Sequence, residues 1–167
     1  MKRKTKSHLA ARSLARGGLI AGLYVALTHL AAAIGLSSGV IQFRISEALC
    51  ILPIFLTEAI PALAIGCFIA NLTTGCLIWD VVFGTLATLI GAVGAYLLRR
   101  LPTPIATLPT VLANAIIVPF VLMWVYMLEG GYFFFMLTVG LGEIVCATVL
   151  GTLLAGAVKK TKIFDEM

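Results

Sequence analysis

Residues 131–156 read GYFFFMLTVGLGEIVCATVLGTLLAG, a run of apolar and small residues interrupted by one charge, Glu143. A stretch this long and this apolar exceeds the roughly 20 residues that carry a helix across a hydrocarbon core. Working outward, the same character holds for most of the 167-residue chain, which is 61% hydrophobic and 11% charged with a mean hydropathy of +1.11. An average soluble domain is nearer 25% charged, so this chain has too little polar surface to face water. A soluble enzyme, a disordered chain and a nucleic-acid-binding chain are excluded, leaving an all-α polytopic membrane protein built as one domain.

Charges, prolines and polar turns break the apolar sequence at 37–47, 58–61, 79–80, 99–109 and 129–132. Five interruptions predict six transmembrane helices at about 17–36, 46–58, 61–78, 80–98, 107–128 and 133–158. Residues 1–16 form a basic N-terminus, 17–158 the transmembrane domain and 159–167 a tail. The basic start followed by an apolar run looks like a secretion signal, but residues 17–36 are long enough to span and are expected to be retained. Eleven of the twelve Lys and Arg lie in 2–16, at Arg99 and Arg100, and at Lys159, Lys160 and Lys162. With six spans all three clusters fall on one face, which the positive-inside rule makes the cytoplasm.

The second segment is short. Ten uncharged residues separate Glu47 from Glu58, only about 15 Å of α-helix. Either one carboxylate lies in a protein-lined cavity or the preceding loop dips inward, because irregular backbone at depth must be buried in protein or line water. Both options put a pocket near 37–47 on the outer side.

Polar residues inside the spans mark the candidate site. Glu143 sits near the midplane, where an ionised carboxylate is costly unless paired; it reads as a ligand contact or as a protonated group joining two helices. Asn114 and Asn71 each bring a donor and an acceptor into apolar helices, as ligand contacts or as interhelical glue. Arg44, Glu47 and Gln42, in SGVIQFRISEAL, read as the polar lining of a loop over a cavity, or as a surface ion pair between Arg44 and Glu47. Asp80 beside Trp79 is a pocket residue or a helix-start charge next to an interfacial anchor. His29 reads as a hydrogen-bonded helix residue, and the four cysteines as small packing residues. No nucleophile elbow, Walker loop, metal-ligand spacing or dinucleotide fingerprint occurs, so no catalytic residue, metal or cofactor is expected. Gly18, Gly22 and Ala26 recur every four residues, a small-residue stripe that admits another helix closely.

The strings IQFRISEALCILPIF (41–55), IPALAIGCFIANL (60–72), DVVFGTLATLIGA (80–92), LANAIIV (112–118) and GLGEIV (140–145) together resemble the queuosine-precursor transporter family. These are substrate-binding (S) components of bacterial energy-coupling factor importers. The resemblance implies a six-helix protein of the bacterial plasma membrane, not an enzyme. Its implied ligand is a small 7-deazaguanine, either the 7-aminomethyl compound (prequeuosine base) or queuine. The implied partners are a membrane coupling protein docked on the first helix and two cytoplasmic ATPases, with lipid around them and no nucleic acid. A guanine-type edge presents N1–H and an amine together, which a carboxylate such as Glu143 accepts as a pair, with Asn114 serving another edge. A cationic aminomethyl group calls for a second carboxylate, Glu47 or Asp80. An S component for another vitamin, or a membrane enzyme or assembly protein using Glu143, are the other readings.

Overall fold

The structure is a computed structural model that describes residues 2–36 and 42–161, the side chains of 2–9 excepted. Its helices are α1 (Lys2–Ala33), a 3₁₀ helix (Ile45–Ile54), α2 (Ala59–Thr73), α3 (Ile78–Leu97), the single turn α4 (Thr103–Ala106), α5 (Leu108–Trp124), α6 (Tyr132–Glu143), a π-helical segment (Ile144–Leu150) and α7 (Gly151–Thr161). α4 with α5 forms one span, and α6 runs through the π segment into α7 as another. Among the described residues, four spans are long and apolar enough to cross a membrane, and the shorter apolar 3₁₀ helix and α2 bring the apolar segments to six. The chain is a polytopic all-α membrane protein, as its composition requires.

The short second segment meets its length problem by changing helix type. A 3₁₀ helix rises about 2.0 Å per residue, so ten residues reach about 20 Å rather than 15. Tight winding is unfavourable over such a length in isolation. Here residues Ser46 to Pro53 are all buried, and neighbours on every side hold the backbone in place. Glu47 goes inside with them.

Small residues set how closely the spans approach. A Cβ added to Gly66 of α2 would stand 2.9 Å from the Tyr24 Cβ and 3.0 Å from the Ala21 carbonyl oxygen of α1. At Gly91 of α3 a Cβ would meet Thr110 of α5 at 2.6 Å, and at Gly94 it would meet Pro109 at 2.3 Å. The α2–α3 turn closes through Gly75 at φ +79°, a left-handed conformation that favours glycine.

The two ends of the bundle differ. Arg16 pairs with Glu58 at 3.4 Å, Lys159 donates to the Thr103 hydroxyl at 3.4 Å, and Leu98 packs with Ala106, Ala155, Ile54 and Leu154. This gathers the basic clusters that the structure describes at one end. The opposite end brings together Thr28, Arg44, Asn71, Asp80 and Tyr126. Large apolar side chains such as Leu19, Ile65, Phe83, Ile90, Ile116 and Leu153 are exposed around the girdle between these ends. Lipid covers such a surface.

α1 runs unbroken back to Lys2, so the basic N-terminus continues the first helix instead of forming a separate segment. Its Gly17 faces Ala62 of α2. Gly18, Gly22 and Ala26 are exposed, and nothing lies within 4 Å of a Cβ built on either glycine.

This contrast is testable. Gly91→Ala forces α3 away from α5 and should destabilise the purified protein by about 1–3 kcal/mol. Gly18→Ala, at an open helical position, should leave stability unchanged or raise it by up to about 1 kcal/mol. Thermal unfolding in detergent checks both, and equal melting temperatures would overturn the close α3–α5 approach.

Candidate functional site

Glu47 is the most enclosed charged side chain described, with no exposure at all. Three elements supply donors to it. The Tyr24 hydroxyl of α1 and the Thr88 hydroxyl of α3 (3.3 Å) both donate to Oε1, and the Cys50 thiol donates to Oε2 at 3.0 Å. A carboxylate stays in a low-dielectric interior only when its lone pairs are met in this way. Thr88 also reaches the Cys67 sulfur at 3.3 Å, which takes a second contact from Asn71 Nδ2 at 3.5 Å. Cys50 and Cys67 are therefore members of a polar network, a correction to their reading as apolar packing.

Above this network, towards the outer end, lies a cavity of about 190 Å³ lined by Thr28, Gln42, Arg44, Asn71, Asp80 and Tyr126 among others. Arg44 pairs across it with Asp80 at 3.7 Å. The alternative pairing with Glu47, one turn along, does not form, because Glu47 points into the core and its oxygens are already engaged. Tyr126 donates from its hydroxyl to Asp80 Oδ2 at 3.0 Å and accepts from the Leu77 N–H at 3.3 Å. Burial and the neighbouring Asp80 push the Tyr126 phenol above its usual range, which keeps it a donor. Gly84 makes room for the convergence: a Cβ there would stand 2.8 Å from Asn71 Nδ2 and 3.6 Å from Arg44 Nη1. Asp80 is thus buried in the cavity wall, while its neighbour Trp79 is 57% exposed at the bundle surface.

Deeper in the bundle, Asn114 and Glu143 are both buried, and each carries an oxygen with no hydrogen-bond partner among the described residues: Asn114 Oδ1 and Glu143 Oε2. The two lie level with each other. α5 and the last span run antiparallel, with Val118, Leu122, Phe135 and Val139 in one cluster, Ala115 against Gly140, and Thr107 bonded to Thr148 at 2.8 Å. That register puts 114 opposite 143. Glu143 closes α6 at the point where the helix loosens into the π segment, a distortion frequent at functional sites. The π segment packs on the 3₁₀ helix, which brings Glu143 within electrostatic reach of Glu47 and Arg44.

The candidate residues therefore fall into two tiers. Gln42, Arg44, Asn71 and Asp80 line the outer cavity, and Glu47, Asn114 and Glu143 lie beneath it. Residues 37–41 of the expected 37–47 loop lie outside the described residues. His29 is exposed and bonds the Val25 carbonyl at 2.9 Å, as a helix residue does. No group of three or more His, Cys, Asp or Glu side chains suited to a metal ion occurs among the described residues. Sequence reasoning passed over Tyr24, Thr88 and Tyr126. For Tyr24 the available signal was a phenol deep in an apolar span, where its hydroxyl needs a partner.

The family model described as QueT transporter matches residues 14–160. The chain belongs to the QueT transporter family. A curated relative, the queuosine precursor transporter QueT of Lactococcus lactis subsp. cremoris (strain MG1363), is 41% identical over 73 residues, 43% of this chain and 42% of that protein. The chain thus aligns with less than half of that relative's length. No solved structure matches it significantly. Membership in the QueT family fits the six apolar helices.

The Glu47 network yields a measurement. Tyr24→Phe removes one donor from a fully buried carboxylate and should destabilise the protein by about 1–3 kcal/mol. Thermal unfolding checks this, and an unchanged melting temperature would show that Tyr24 does not hold Glu47.

Proposed function

We propose that this chain is the substrate-binding membrane component of an energy-coupling factor importer. It captures a queuosine precursor, 7-aminomethyl-7-deazaguanine or queuine, at the outer face of the bacterial plasma membrane. The observation that carries this reading is an excess of carboxyl groups: Glu47, Asp80 and Glu143 are buried at or beneath the cavity, and Arg44 is the basic residue among them. Buried carboxyl groups in excess of basic partners favour a ligand that brings positive charge or several N–H donors. An aminomethyl-deazaguanine brings both. Family membership supports the substrate class, since the Lactococcus relative is described as a queuosine precursor transporter.

In this reading the ligand enters over Gln42, Arg44, Asn71 and Asp80. Its N1–H and exocyclic amine face Glu143, and Asn114 takes a neighbouring edge. Glu47 adds negative potential from below. The chain performs no chemistry and holds no nucleotide motif, so movement is driven from outside by a coupling protein and two ATPases. The exposed face of Gly18, Gly22 and Ala26 is the docking surface, because close van der Waals contact is what joins helices in lipid.

Glu143→Gln keeps the shape but exchanges an acceptor oxygen for a donor, so ligand affinity should fall by about 2 kcal/mol or more. Calorimetry with a panel of 7-deazaguanines and vitamins checks this. Unchanged affinity reduces Glu143 to interhelical glue, and a vitamin that binds in place of every deazaguanine moves the chain to another substrate. Separately, Gly22→Leu should abolish co-purification with the coupling protein and uptake while leaving affinity nearly intact. A mutant that assembles and transports normally overturns the docking face.

A further inference from the structure

Asp80 is the acidic residue that lines the outer cavity of about 190 Å³, and its side chain is only 8% exposed. Its Oδ2 accepts from the Tyr126 hydroxyl at 3.0 Å. Its Oδ1 accepts no hydrogen bond among the described residues: Arg44 Nη2 stands 3.7 Å away, an ion pair at a separation longer than a hydrogen bond. A carboxylate offers about four lone-pair sites, so Asp80 keeps acceptor capacity at the cavity wall. Asn71 adds to it. Its Nδ2 contacts the Cys67 sulfur at 3.5 Å, and its side-chain carbonyl oxygen accepts no hydrogen bond among the described residues. Gly84 leaves this corner open, since a Cβ there would stand 2.8 Å from Asn71 Nδ2 and 3.7 Å from Asp80 Oδ1.

Glu47 and Asp80 are the two carboxyl groups that compete for a cationic aminomethyl group, and their surroundings decide between them. Glu47 has no exposure, and both of its oxygens already take donors from Tyr24, Thr88 and Cys50. A ligand would have to break that network to reach it. Asp80 has an oxygen without a hydrogen bond and lies beside open volume. Substituent size points the same way. Queuine carries a larger group on its 7-methylene amine than the aminomethyl compound does, so the variable end needs the cavity. The ring then takes the enclosed tier of Asn114 and Glu143. Gly91 of α3 faces Thr110 and Gly94 faces Pro109, which puts Asn114 about two turns below Asp80, roughly 10–13 Å along α3. The fused ring and its methylene arm, with a hydrogen bond at each end, bridge that length.

We infer that Asp80 is the specificity-determining residue for the 7-substituent: its Oδ1 accepts a charge-assisted hydrogen bond from the amine on the 7-methylene group, with the Asn71 carbonyl as a second acceptor. The assignment rests on the substrate class proposed above. Arg44 leaves room for this cation, because it makes no hydrogen bond to Asp80 Oδ1 and is also within electrostatic reach of Glu47 and Glu143. A deazaguanine with a neutral 7-cyano group brings no donor to Asp80 and leaves the carboxylate as short of partners as before. A site built to receive a donor discriminates against an analogue that lacks it.

The test uses the full chain in detergent and calorimetry with three probes: 7-aminomethyl-7-deazaguanine, queuine and 7-cyano-7-deazaguanine. The unsubstituted protein should bind both amines more tightly than the nitrile. Asp80→Asn should weaken both amines about tenfold or more and the nitrile by less than about threefold. Asp80→Glu, which keeps the charge, should retain the preference for amines. The readout is the ratio of amine to nitrile affinity, which a merely structural loss of the Arg44 or Tyr126 contact would not move. Thermal unfolding confirms that the variants fold, and if Asp80→Asn does not, Asp80→Glu against Asp80→Ser supplies the same comparison. Equal weakening of all three probes, or no weakening of the amines, overturns the role of Asp80 while leaving the substrate class in place. An unsubstituted protein that binds none of the three overturns the substrate class, and this assignment with it.

Discussion

A carboxylate taken wholly out of water inside a membrane protein must be met by donors from its surroundings, and Glu47 imposes this requirement on the whole bundle. Its partners Tyr24, Thr88 and Cys50 come from α1, α3 and the 3₁₀ helix, so those three elements are locked at one relative depth. Thr88 extends the lock to α2 through the Cys67 sulfur. The hydrophobic effect does little to hold helices together in lipid, so polar contacts of this kind and close packing at Gly66, Gly91 and Gly94 carry the specificity of assembly.

The two elements that depart from α geometry face each other next to this network. The 3₁₀ helix begins beside Glu47, and the π segment begins directly after Glu143. Overwinding stretches one segment so that ten residues cover the needed depth. Underwinding widens the other beside the deep carboxylate. A bundle of regular α-helices would have packed these positions with apolar contacts. Here the irregular backbone surrounds buried charge instead, where protein can satisfy it.

The site follows from that arrangement. In an outer tier around an open cavity, Arg44 and Tyr126 both hold Asp80 and Asn71 adds to the lining, while the lower tier of Asn114 and Glu143 carries acceptor oxygens with no partner among the described residues. In the proposed reading, entry and deep recognition use different residues. The first helix meanwhile turns Tyr24 inward and its small-residue face outward. One helix in this way serves the interior network and an exposed surface at once.

The membrane character, the six segments and the gathering of basic residues at one end were legible from composition and spacing, because lipid imposes a minimum apolar length and charge asymmetry marks a side. Glu143, Asn114, Asn71 and Asp80 stood out for a similar one-dimensional reason, as polar residues where hydrocarbon tolerates few. The pairing among them was not legible. Arg44 is three residues from Glu47 yet pairs with Asp80, and Glu47 is served by Tyr24 and Thr88, 23 and 41 residues away in sequence. Spacing along a chain shows which residues share a helix face, whereas the partners of a buried charge come from whichever helices pack against it. That choice depends on where glycines let backbones meet and on how a short segment rewinds to gain length, so only the tertiary structure decided it.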